Sequence, residues 1–313
     1  MSTATLPSFL LKPSDLSTLL KQNAPSHLST APRIVPLCAS WFLPNDPQQR
    51  QGYDTYLASR IPSARFFDLD AIKDPNSSYP HMLPSPRDFA AAMGKLGIRR
   101  DDAVVVYDTH ELGIFSAPRV AWTLKIFGHE GVGVLDNFKL WVEEGYETEN
   151  GEPKAVEQTE YPVPEMDGTM VVGFEEVKEK AGEMKKGLEG ADQVQILDAR
   201  SEGRWKGSEP EPRKGLPSGH IPNSINVPIG AVLDAKTKTF LPPDKLKALF
   251  ESKGIDSTKP IISSCGTGVT AAVIDAALSQ AGYAQEGRRI YDGSWTEWAQ
   301  RVQPDEGLIE TST

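Results

Sequence analysis

Lys259-Pro260-Ile261-Ile262-Ser263-Ser264-Cys265-Gly266-Thr267-Gly268-Val269-Thr270-Ala271 reads as a short buried strand, a glycine-bearing turn and the start of a helix. The glycines let the turn curl tightly, and the helix running on through Leu278 is rich in alanine. Upstream, Val194-Gln195-Ile196-Leu197-Asp198 is a strand ending in an acid. Gly219-His220-Ile221-Pro222 turns the chain toward Ile225-Asn226-Val227, and Ile290 to Trp298 closes the unit. The same order of features occurs once before. Ala103-Val104-Val105-Val106-Tyr107 is a continuous β-branched run, as expected of a parallel strand covered on both faces. Asp108 ends it, and a helix is expected from Ala117 to Phe127. Ile34-Val35-Pro36-Leu37 leads toward a strand, and Ser59-Arg60-Ile61-Pro62-Ser63-Ala64-Arg65-Phe66-Phe67 mirrors the Gly219–Val227 segment. Val132-Gly133-Val134-Leu135 reads as another strand, and Leu135 to Trp141 closes that unit. An internal duplication with a period of about 130–150 residues accounts for the pattern. The expected class is α/β, as two tandem units, each a mostly parallel sheet flanked by helices. Residues 8–150 form the first unit, the Pro-, Gly- and acid-rich residues 151–168 a linker, and residues 169–303 the second.

The chain has 313 residues, 39% of them hydrophobic and 24% charged, with a formal charge of −10. That balance suits a globular protein and offers no electrostatic footprint for nucleic acid or an anionic membrane. No apolar run reaches the ~18 residues of a membrane helix. The first 35 residues hold few acids and many hydroxyls, so a mitochondrial presequence stands as the alternative to a cytoplasmic chain. Cys38 and Cys265 are the only cysteines. Two thiols this far apart make neither a disulfide scaffold nor a four-thiolate zinc site, and a reducing compartment follows.

Cys265 is the candidate for chemistry. A strand-to-helix turn with Gly266 and Gly268 can aim successive amides at the sulfur, and the helix adds its N-terminal donors. Such donors favour thiolate over thiol, with Thr267 and Thr270 as further hydroxyl donors. Cys38 lacks a comparable loop and is expected to be structural. There is no Cys-x-x-Cys redox motif and no Gly-x-Gly-x-x-Gly nucleotide fingerprint. Ala271 stands where a phosphatase loop needs its phosphate-gripping arginine. No histidine is in an obvious protease-like context. A persulfide carrier fits the motif, because it needs only a reactive thiolate, amide donors and a patch that binds the sulfur donor.

The Cys265–Thr270 loop, the duplication and the Gly219-His220-Ile221-Pro222 turn resemble the rhodanese superfamily, specifically its two-domain sulfurtransferases. The resemblance runs over residues 10–303. It implies tandem rhodanese-like domains, the second catalytic and the first without a catalytic cysteine, as Asp108 suggests. Uncharged Gly266 and Thr267 resemble the mercaptopyruvate branch, whereas thiosulfate-preferring relatives carry basic residues there. The resemblance further implies Cys265 as the sulfur carrier and Asp70, His81 and Thr267 as a triad-like group, Thr267 replacing the family's usual serine. It places substrate at Arg204 and Arg213 and along Gly266, Gly268, Val269 and Thr270. Asp292 and Ser294 would support the loop, and Arg200 would make a structural ion pair. His220 would be structural, with weaker claims for His27, His110 and His129. No cofactor and no metal are implied. The expected donor is 3-mercaptopyruvate and the acceptor a thiol such as thioredoxin or a small thiol, with pyruvate released. Thiosulfate as donor is one alternative. A protein-to-protein relay for tRNA thiolation, with a desulfurase and a sulfur carrier as partners, is another.

Overall fold

The computed structural model describes residues 4–23, 30–188, 190 and 193–312, so His27 lies outside the described residues. The first half runs β1 (Leu10–Leu11), α1 (Pro13–Leu20), β2 (Ile34–Cys38), α2 (Gly52–Ala58), β3 (Arg65–Phe66), α3 (Pro86–Lys95), β4 (Ala103–Tyr107), α4 (Ala117–Ile126), β5 (Val132–Leu135) and α5 (Phe138–Glu143). The second half repeats it as β6 (Val171–Val172), α6 (Phe174–Lys185), β7 (Gln195–Asp198), α7 (Glu202–Lys206), β8 (Ile225–Asn226), α8 (Pro243–Ser252), β9 (Ile261–Ser264), α9 (Val269–Gln280), β10 (Arg288–Tyr291) and α10 (Ser294–Arg301). The sheet orders are β1-β5-β4-β2-β3 and β6-β10-β9-β7-β8, and every strand pair is parallel. Strands β4 and β9 sit centrally and are buried throughout, which is why their sequences are continuous rather than alternating. Helix α3 opens on Pro86 with Ser85 as cap, its hydroxyl accepting from the Asp88 amide at 3.2 Å.

The two halves do not keep separate cores. Helices α4 and α9 pack together, and small residues on both (Ala117, Ala121, Ala271, Ala272) allow the close approach. One apolar cluster therefore runs from Val104 and Val106 through Val120 and Leu124 to Val273 and Ile290. Each sheet's other face has its own cluster, around Tyr107 and Phe138 in the first half and Trp295 and Trp298 in the second. The segment between the halves is not a free tether. It has no helix or strand over residues 150–167, yet the Thr159 amide donates to the Gly94 carbonyl at 3.0 Å. Its Tyr161 is buried edge-on against Phe89, with its hydroxyl 2.8 Å from His129 Nδ1.

The duplication places the same latch twice. The Leu83 amide, in the loop before α3, donates across to Asp292 Oδ2 at 2.8 Å. The Phe240 amide, at the same step before α8, donates back to Asp136 Oδ1 at 3.0 Å. Asp136 and Asp292 each directly follow the last residue of β5 and β10. Both loops also carry one left-handed residue at matching positions, His81 (φ 63°) and Lys238 (φ 61°). Such a backbone costs a non-glycine residue of order 1–3 kcal/mol, which the surrounding contacts must offset.

Candidate active site

Cys265 follows the last residue of β9, and Gly268 begins α9 with a left-handed backbone (φ 74°) that an L side chain rarely adopts. A Cβ at Gly268 would stand 2.6 Å from Arg119 Nη1 and 2.8 Å from the Asp292 carbonyl oxygen, so the position is also closed by packing. Ser294 Oγ organises the turn. It accepts from the amides of Cys265 and Gly268, both at 3.1 Å, and donates to the Tyr291 carbonyl at 2.7 Å. Thr296 fastens the other side, its amide and hydroxyl donating to the Gly266 carbonyl at 2.9 and 2.8 Å. Two of the turn's amides, those of Cys265 and Gly268, are therefore taken by Ser294 and not aimed at the sulfur. The amides of Gly266, Thr267, Val269 and Thr270 have no hydrogen-bond partner among the described residues.

The sulfur does not stand open to solvent. Cys265 is only 2% exposed. Around its turn, His81 from the first half meets Thr267, and Arg204 of α7 (Glu202–Lys206) comes up against Gly266. A cleft of about 690 Å³ does open at the boundary between the halves, and Trp41, Asp70 and Arg213 line it, but Cys265 does not.

The triad-like residues meet across the two halves. His81 Nε2 is 2.9 Å from Asp70 Oδ1, and His81 Nδ1 is 3.0 Å from Thr267 Oγ1. With the carboxylate accepting from Nε2–H, neutral His81 presents Nδ1 as the acceptor for the Thr267 hydroxyl. Burial lowers the His81 pKa, against the opposing pull of Asp70, while Arg119 and Arg213 lower it further. The hydrogen bond from His81 lowers that of Asp70, whose side chain is largely exposed. Trp41 completes the group: its indole N–H donates to Asp70 Oδ2 at 2.9 Å and its ring meets His81 edge to face at 4.7 Å.

Arg204 and Arg213 take unequal roles. Arg204 lies in helix α7 rather than in an irregular loop. The helix is closed by left-handed Gly207 and braced by a Lys206–Glu202 ion pair. Its guanidinium grips Glu211 with two bonds, at 2.5 and 3.1 Å, while a Cβ on Gly266 would lie 3.2 Å from its Nη2. Glu211 also holds Arg200, which pairs with Asp198 at 2.5 Å. Arg213 forms no ion pair with any described residue. Desolvation lowers its pKa, against the opposing pull of Asp70. It is a partly buried cation that lines the cleft and has no fixed counter-ion among the described residues.

The remaining candidates lie elsewhere. Cys38 is buried beside Ser40 Oγ at 3.1 Å, and desolvation pushes its thiol up to about 11. Asp108, in the place matching Cys265, accepts from the amides of Phe115, Ser116 and Ala117 at 2.8–2.9 Å and from the Ser116 hydroxyl at 2.6 Å. The first-half turn is thereby filled by its own carboxylate. His110 lines the small cavity beside Asp108 and Cys38, and His220 stacks on Trp205 at 4.0 Å. Sequence reasoning missed Arg119 and Trp41. A lone arginine in the apolar run Ala117-Pro118-Arg119-Val120-Ala121-Trp122 was the available signal.

A cysteine turn at the C-terminal end of a central parallel strand, completed by a histidine from a duplicate unit, defines a two-domain α/β protein with one composite site. A model of the rhodanese-like domain matches residues 180–301. The chain is 40% identical over 308 residues to a probable 3-mercaptopyruvate sulfurtransferase of Schizosaccharomyces pombe, covering 97% of each chain. It is 40% identical over 290 residues to the thiosulfate sulfurtransferase TUM1 of Saccharomyces cerevisiae, covering 87% of this chain and 90% of that one. The crystal structure of Tum1 from the same yeast superposes with a TM-score of 0.84 at 38% identity, covering 96% of this chain and 97% of that one. The chain belongs to the rhodanese family. It is a sulfurtransferase of the 3-mercaptopyruvate/thiosulfate type.

Proposed function

We propose that the chain takes sulfur from 3-mercaptopyruvate onto Cys265 and passes it to a thiol acceptor. The Cys265 thiolate attacks the donor sulfur and forms an S–S bond. The donor C–S bond breaks, and its electron pair leaves with the pyruvate enolate, which takes up a proton to become pyruvate. An acceptor thiolate then bonds to the outer sulfur, and Cys265 departs as thiolate.

The observation that carries this reading is the hydrogen-bonded run Asp70–His81–Thr267, which reaches the cysteine turn from the other half. Neutral His81 can take a proton through the Thr267 hydroxyl when the donor binds, and return it to the enolate. A dianion such as thiosulfate has no carbon leaving group that needs this proton. Gly266 and Thr267 add no positive charge beside the sulfur. Arg213 supplies the carboxylate contact, with Arg204 behind it, and entry from the cleft passes Arg213. Gly266, Gly268, Val269 and Thr270 contribute the turn's backbone to the same pocket.

The test is a donor panel with parental and Cys265→Ser protein, following pyruvate and protein-bound persulfide together. Parental protein should have the higher kcat/KM with mercaptopyruvate than with thiosulfate, and C265S should release no pyruvate. Parental turnover by C265S would end the assignment to this residue. Persulfide accepted from a desulfurase, with poor turnover of both small donors, would favour a protein-to-protein relay.

A further inference from the structure

Arg119 is 1% exposed and lies in α4 of the first half, yet its guanidinium works at the boundary. Nη2 donates to Asp292 Oδ1 at 2.5 Å and to the His81 carbonyl at 2.6 Å, while Nη1 lies 3.5 Å from the Gly268 carbonyl. The Trp122 ring covers its face at 4.6 Å. The other oxygen of Asp292 takes the Leu83 amide, so one buried ion pair fixes the backbone at the His81 carbonyl and two residues further on. It also abuts the turn that carries Cys265. His81 needs such a hold, because its backbone is left-handed.

We propose that Arg119, paired with Asp292, is a positioning residue for sulfur transfer, holding the His81 loop of one half and the Cys265 turn of the other in a single register. The inference rests on the Asp70–His81–Thr267 relay read above and extends it. Arg119 touches neither donor nor sulfur; it acts through His81 and Gly268. Its distance from the reacting atoms is no protection, since small misplacements cost large factors in rate. The pH profile supplies a readout that a merely structural residue would not move. The charged groups that act on His81 are Asp70 from its own loop, Arg119 from α4 and Arg213 from the loop after α7.

The experiment compares R119K, R119Q, D292N and H81A in the full-length chain. It measures first-turnover pyruvate release against pH, KM for mercaptopyruvate, and thermal melting. R119Q should lose on the order of 100-fold in rate with KM within about threefold of the parent. Its acid limb should move to higher pH, because a cation that disfavours protonated His81 is gone. R119K should keep the limb in place and recover much of the rate. Adding R119Q to H81A should cost little beyond H81A alone. R119Q leaves Asp292 buried without its cation, so if it fails to fold, D292N decides, with an expected loss of about tenfold. Folded R119Q and D292N with parental rates and pH profiles would overturn the proposal, as would R119Q and H81A losses that simply add. H81A turning over at the parental rate would instead overturn the relay.

Discussion

His81 Nδ1 and Thr267 Oγ1 stand 3.0 Å apart although 186 positions separate them in the chain. The contact exists only because α4 and α9 pack the duplicated halves face to face and bring the loop before α3 over the turn after β9. Any substitution at either residue therefore tests the interface and the chemistry together.

Thr267 should be needed for its hydroxyl and not for its methyl. T267V keeps the shape and removes the proton path, and it should lose ~10²–10⁴-fold in pyruvate release. T267S should stay within about tenfold of the parent, because the bond to His81 can re-form. Steady-state pyruvate assays decide, and a fully active T267V would remove the hydroxyl from the mechanism.

The acid limb of kcat/KM should fall below the ordinary imidazole range. Burial lowers the His81 pKa, so the neutral acceptor persists to lower pH. Asp70 opposes that shift, so D70N should move the limb further down while also lowering the plateau through lost orientation of the ring. A D70N limb displaced upward would contradict the geometry.

Removing Arg213 should trade function for stability. R213M deletes a partly buried guanidinium that has no fixed ion pair, and the melting temperature should rise slightly. The same change should raise KM for mercaptopyruvate by about 10- to 100-fold, the usual worth of one charge-assisted contact. Calorimetry and kinetics on one preparation test both halves of the statement. An unchanged KM would separate Arg213 from donor binding.

Asp136 gives a stability signature with a definite sign. Desolvation raises its carboxyl to about 6 in the folded chain, above its ordinary carboxylate value of 3.8. A raised folded value favours folding at low pH, and that contribution is lost as pH rises from about 4 through 6. D136N keeps an acceptor for the Phe240 amide without the buried charge. It should melt higher than the parent at pH 8 and no higher at pH 4. Equal differences at both pH values would show that the carboxyl does not titrate as its burial requires.

How much of this was legible in the sequence depended on the range of the interaction. Ala103–Tyr107 announced a central parallel strand, because burial on both faces is written locally as an unbroken run of strand formers, and Ile261–Ser264 followed from its matching place in the second repeat. The edge strands Leu10–Leu11 and Val171–Val172 were invisible, since two residues carry no period and their pairing is decided by β5 and β10. Asp70, His81 and Thr267 came from family resemblance, as nothing near His81 in the chain points toward the turn. Arg119 went unread because its partner, Asp292, is 173 positions away. The burial of Cys265 could not be read from a turn motif either, because residues distant in the chain, such as His81 and Arg204, pack around that turn.

The paired latches, Leu83 to Asp292 and Phe240 to Asp136, give the chain the bookkeeping of a two-fold dimer joined end to end. Each half owns a turn after its central strand and a loop that reaches across to the other half. The first half keeps no thiol at the matching turn, which Asp108 fills with its own carboxylate. On the proposed mechanism the two halves work only as a pair, since one holds the cysteine turn and the other the histidine that reaches it.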